Sequence, residues 1–95
     1  MDKSKKEEMK KNLFRIFAET EDPDDISTLL DDLCTQKEIG QMAERLRAAE
    51  LLMEGKTYTQ VMEETEISSA TLSRVSRCVQ YGKGYSKLLS KEDKN

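Results

Sequence analysis

The chain has 95 residues, of which 36% are hydrophobic and 37% charged, with a formal net charge of -3; this suffices for one helical domain, 1–95, with a modest core that a second copy could extend. Histidine is absent, and no serine or cysteine sits in a nucleophile motif, so the commonest general base and metal ligand are missing and catalysis is not expected. No apolar run approaches a membrane span and no secretory pattern opens the chain, so the expectation is a cytoplasmic protein with neither membrane nor metal partner.

A helical pattern runs from about Ser4 to Ala18, with Met9, Leu13, Phe14, Ile16 and Phe17 on one broad apolar stripe. Asp22-Pro23-Asp24-Asp25 is a strong helix start, with Asp22 as N-cap, Pro23 first in the helix and acids against the positive end of the dipole. Ile26, Leu29, Leu30, Leu33 and Cys34 should carry that second helix inward. Thr35-Gln36-Lys37-Glu38 reads as a T-x-x-E capping box. The long third helix it opens should present Ile39, Met42, Ala43, Leu46, Ala49, Leu52 and Met53, with Gly40 a weak spot and Gly55 its end. Segment 4–55 is thus expected to supply core and dimerisation helices. Cys34 and Cys78 fall in helical patterns without metal-ligand spacing and read as buried, reduced thiols.

Segment 56–80 has the form of a helix-turn-helix. Thr57 and Gln60 make a T-x-x-Q capping box, and Tyr58, Val61, Met62 and Thr65 give the first helix a narrow inward stripe. Ser68 is a good N-cap for the second helix, with Ile67 before it and Leu72 inside at the spacing of a hydrophobic staple. Glu66 stands in the turn where glycine is common, so a left-handed backbone there would be strained and the turn is expected to take a different path. On the second helix Leu72, Val75 and Val79 share the inner side, while Ala70, Ser73, Arg74, Arg77 and Tyr81 face out. Small residues, hydroxyls and an arginine at the front of an exposed helix suit the major groove of duplex DNA. The pattern weakens at Gly82 to Gly84, a short closing helix follows around Tyr85 to Leu89, and 90–95 reads as a disordered polar tail.

Charge is segregated along this all-α chain. Glu19 to Asp32 carries acids without a lysine or arginine, while Arg74, Arg77, Lys83, Lys87 and Lys91 follow Ile67 without an acid. An acidic protein can therefore present a basic face to a polyanion. The alternative is a helical protein-interaction module that uses the acidic 19–32 surface and keeps the helix-turn-helix as scaffold. Several apolar stripes are too wide for lone surface helices, which suggests a homodimer of interlocked helices.

Thr35-Gln36-Lys37-Glu38, Glu44-Arg45-Leu46-Arg47, Glu50-Leu51-Leu52-Met53-Glu54-Gly55 and Ala70-Thr71-Leu72-Ser73-Arg74 resemble, in order and spacing, the tryptophan repressor superfamily, most closely its YerC/YecD-like branch. The resemblance spans roughly half the chain, and the Thr-Leu-Ser-Arg end is its specific part. It implies an intertwined homodimer with two helix-turn-helix heads that represses transcription at a palindromic operator. The residues expected at DNA are Lys56, Thr57, Thr59, Ser68, Ser69, Ala70, Thr71, Ser73, Arg74 and Arg77. By position Arg45 and Arg74 match the two arginines that sandwich the corepressor indole in the tryptophan repressor. Val75 stands where the family has glycine, and Cys78 where it has a serine that meets the ligand. These departures count against a tryptophan corepressor, and leave a pocket around Arg45, Arg74, Val75 and Cys78 that is either filled or shaped for another small molecule.

Overall fold

The computed structural model describes residues 2–90, and among these it contains six helices and no strand: α1 (Lys3–Glu19), α2 (Pro23–Leu33), α3 (Gln36–Met53), α4 (Tyr58–Thr65), α5 (Ser69–Tyr81) and α6 (Gly84–Leu89). The all-α class is as the periodicity predicts. Residues up to Gln36 form one compact unit and those from Lys37 another.

In the first unit α1 begins one residue earlier than its apolar pattern, because the Asp2 carboxylate accepts from the Lys5 amide at 2.9 Å. It ends where the Thr20 hydroxyl donates back to the Ile16 carbonyl at 2.6 Å, a local bond that competes with continuation of the helix. The second helix opens as expected, with Asp22 accepting from the Asp24 amide at 2.8 Å and Pro23 in first place. Two inward assignments change. Leu33 is exposed, and Cys34 is the half-buried cap residue that follows α2. No side chain of α1 or α2 is buried, and Phe14 remains 62% exposed.

The second unit holds the core, built from Ala48, Ala49, Leu51, Val61, Ile67, Leu72 and Val75, with Leu52, Met62, Val79, Tyr85 and Leu89 packed against it. The inner face of α3 is therefore rotated from the predicted one. Ala48 and Leu51 join Ala49 inside, while Met42 and Leu46 are exposed. The small side chains of Ala48 and Ala49 suit close approach, which the long side chains of the predicted stripe would prevent. The third helix ends in a Schellman motif, with Lys56 N–H on the Leu51 carbonyl at 3.1 Å, Gly55 N–H on that of Leu52 at 3.0 Å, and Gly55 left-handed at φ 92°.

The fifth helix ends at Gly82, where a Cβ would lie 2.6 Å from the Cys78 carbonyl oxygen, so only glycine allows this tight exit into α6. Cys78 is exposed, which corrects the expectation of a buried thiol: the inner side of α5 is occupied by Leu72, Val75, Ser76 and Val79. Both cysteines are free thiols. Of the predicted tail, Ser90 caps α6 and 91–95 lie outside the described residues. Among the described residues no helix is long and apolar enough to cross a membrane.

Candidate nucleic-acid interface

The two motif helices are held by their own ends. The Thr57 hydroxyl accepts from the Gln60 amide at 3.2 Å, and the Gln60 side chain accepts from the Thr57 amide at 2.9 Å, which completes the capping box of α4. At the start of α5 the Ser68 hydroxyl accepts from the Thr71 amide at 3.2 Å and donates to the Thr71 hydroxyl at 3.0 Å. Ile67, 5% exposed, and the fully buried Leu72 are both in the core at the ends of the staple.

The turn between them does follow the left-handed path, with Glu66 at φ 61° and ψ 15°, contrary to the expectation of a different route. The cause is what flanks it. Thr65 and Ile67 are both buried, so the chain must reverse within a single residue. The Thr65 hydroxyl donates to the Val61 carbonyl at 2.7 Å and accepts from the Ile67 amide at 3.3 Å, and the Glu66 amide closes on Met62 at 2.9 Å. Neighbours over-determine the conformation and the glutamate bears its strain.

The structure places the ten residues predicted for DNA on α4's N-terminal edge and on α5. Lys56, Thr57 and Thr59 are exposed around the start of α4, Ser68 is exposed as the N-cap of α5, and Ser69, Ala70, Ser73, Arg74 and Arg77 are exposed on α5, with Thr71 half-buried. Ser68 and Thr71 spend their hydroxyls on capping. Ser69 and Ala70, in the first helical turn, have amides with no carbonyl acceptor one turn earlier. Those amides, the Ser69 and Ser73 hydroxyls and the Arg74 and Arg77 guanidinium groups make a donor-rich helix front that matches an anion. Exposed acids at Glu63, Glu64 and Glu66 occupy the far end of α4 and the turn, so the anion-receptive face is limited to α5 and the beginning of α4.

Behind that face, Arg45 of α3 meets Arg74, Val75 and Cys78 of α5 around a cleft of about 430 Å³ that Thr71 and Tyr85 also line. All four residues predicted for an effector pocket are thus brought together. Tyr85 belongs to α6 and was not foreseen, since only the path through Gly82 carries it there. Arg45 and Thr71 also line a neighbouring hollow of about 290 Å³ with Gln41, Glu44, Ile67 and Ser68. Within the second unit Arg45 makes no ion pair among the described residues. Val75 is 2% exposed, so its side chain belongs to the core as well as to the cleft wall. No group of three or more Cys, Asp or Glu among the described residues is placed to hold a metal ion.

This arrangement has relatives. Residues 8–93 match the family described as Trp repressor protein. The chain is 44% identical over 70 residues to the uncharacterised protein YerC of Bacillus subtilis (strain 168), an alignment that covers 74% of this chain and 67% of YerC. A crystal structure of a Staphylococcus aureus protein proposed to be a Trp repressor superposes with a TM-score of 0.85 and 30% identity, covering 98% of this chain and 96% of that one. Sequence and fold agree: the chain belongs to the Trp repressor protein family, in the YerC-like branch.

Proposed function

We propose that this chain is a sequence-specific regulator of transcription that binds duplex DNA as a homodimer and acts as a repressor at a palindromic operator. The observation that carries the reading is the outer face of α5, where Ser69, Ala70, Ser73, Arg74 and Arg77 are exposed while the hydroxyls beside them are committed to caps. A rigid, pre-set helix front with unspent donors is what the major groove requires. Ser69, Ala70, Ser73 and Arg74 meet base edges, and Lys56, Thr57, Thr59 and Arg77 meet phosphates. A second copy supplies the second head, and it also covers apolar side chains of α1 and α2, none of which is buried within one chain. Two-fold heads require half-sites about one helical turn, roughly 34 Å, apart.

Tryptophan is not the effector in this reading. The Val75 side chain forms part of the core at the cleft wall, and removing that wall would open the hydrophobic cluster itself. In this reading the heads bind DNA without a tryptophan corepressor. Selection from a random duplex library, with no ligand added, tests this. An enriched two-fold site is expected for the wild-type chain. Arg74→Ala should cost about 1–3 kcal/mol and relax one base position. Enrichment only in the presence of an amino acid would refute ligand independence, and no enrichment under any condition would refute the DNA reading.

A further inference from the structure

Arg47 lies on α3, outside the proposed reading face, yet it is the hub of a charge cluster that reaches the motif. Its guanidinium lies 3.4 Å from the Glu50 carboxylate, 3.9 Å from that of Glu54 and 4.0 Å from that of Glu64. The first two belong to α3 and its exit, whereas Glu64 is on α4. Glu64 in turn lines a hollow of about 220 Å³ with Glu63, Gln60 and Lys56. Gln60 is the capping partner of Thr57, so this hollow borders the phosphate-facing start of α4. Of the three carboxylates that share the Arg47 guanidinium, Glu64 is the one that lines this hollow.

We infer that Arg47 is a positioning residue for the DNA-reading head: it pairs with Glu64 of α4 and offsets that carboxylate, which would otherwise repel phosphate beside Lys56 and Thr57. The inference rests on the DNA-binding reading. All four side chains are partly exposed, between 38% and 58%, so solvent weakens the ties and Arg47 contributes little to folding itself. Repulsion of a phosphate within roughly 8 Å survives at physiological salt, however, because that is the screening length. The effect of Arg47 is therefore concentrated in DNA affinity and is small in thermal stability.

The test uses the full chain and the duplex recovered by selection, titrated over a range of salt. Arg47→Gln should weaken binding about two- to five-fold, the size expected of a partly exposed charge pair. The salt slope should fall by clearly less than one, because Arg47 touches no phosphate and its screened effect fades as salt rises; a direct contact would lower the slope by about one. Adding Glu64→Gln to Arg47→Gln should restore affinity to within about two-fold of wild type, and with Glu64→Gln measured alone the two changes should be non-additive, the mark of coupled sites in a double-mutant cycle. Helicity and melting temperature of each variant, followed by circular dichroism, should remain near those of wild type. Unchanged affinity in Arg47→Gln, a loss that Glu64→Gln does not restore, or a salt slope lowered by a full unit would overturn the inference while leaving the DNA reading intact. A wild-type chain that binds no duplex would overturn both.

Discussion

Glu66→Gly should stabilise the protein, although it removes a side chain from the centre of the motif. Glu66 is the one non-glycine residue with positive φ among the described residues, at 61°, and its side chain is exposed. A left-handed conformation costs an L-residue roughly 1–2 kcal/mol, because Cβ crowds the following carbonyl. Glycine avoids that cost but has more freedom to lose on folding, about 0.5–1 kcal/mol. Among the described residues the Glu66 side chain makes no hydrogen bond or ion pair that would offset the gain, and its amide bond to Met62 at 2.9 Å survives the substitution. The net gain is about 0.5–1 kcal/mol, or a rise in melting temperature of about 2–8 °C for a domain of this size. Thermal unfolding followed by far-ultraviolet circular dichroism, at fixed chain concentration so that self-association contributes equally to every variant, measures it. Glu66→Val should move the other way and melt below Glu66→Ala, because a β-branched side chain tolerates positive φ least. A glycine variant no more stable than wild type, or a valine variant equal to alanine, would refute the argument that strain is stored in this turn.

Leu72→Ala should destabilise by about 2–5 kcal/mol, as for other fully buried leucines, because Leu72 is 0% exposed and its core includes residues of α3 and α4; denaturant titration reads the shift. Ser68→Ala removes the acceptor of the Thr71 amide and the donor to its hydroxyl, and should cost about 0.5–2 kcal/mol in the same titration. Phe14→Asp tests the dimer: Phe14 is 62% exposed in the single chain, so a monomer would tolerate the change within about 0.5 kcal/mol. In a dimer that buries this ring the variant should dissociate, and light scattering showing the same mass for both proteins would refute a role for α1 in assembly.

Much of the local structure was legible because it is written in side chains that bond to nearby backbone. Asp22, Thr57, Ser68 and Gly55 each end or begin a helix through atoms only two to five residues away, and each was read in place. The motif face was legible for the same reason, since 3.6-residue periodicity alone assigns Ser73, Arg74 and Arg77 to the side opposite Leu72 and Val75. The inner face of α3 was not. Periodicity is ambiguous in a helix with apolar residues on several sides, and what selects Ala48, Ala49 and Leu51 over Met42 and Leu46 is the shape of the neighbouring helices. Cys78 illustrates the same point, being apolar enough to be read as core yet displaced from it by Val75 and Val79.

The amino-acid order by itself determined the helices, their caps and which residues form a motif, because these depend on interactions within a few positions of the chain. Only the tertiary structure decided the rest. Glu66 is held left-handed because both its neighbours are buried in the core, which outweighs its own preference. Arg45, Tyr85 and Arg74 share one cleft because α3, α5 and α6 pack around common apolar side chains, and Arg47 of α3 reaches Glu64 of α4 across the chain reversal at Gly55. Those are meetings between residues 11 to 40 positions apart, and their positions follow from how several helices jointly exclude water, which no single segment encodes.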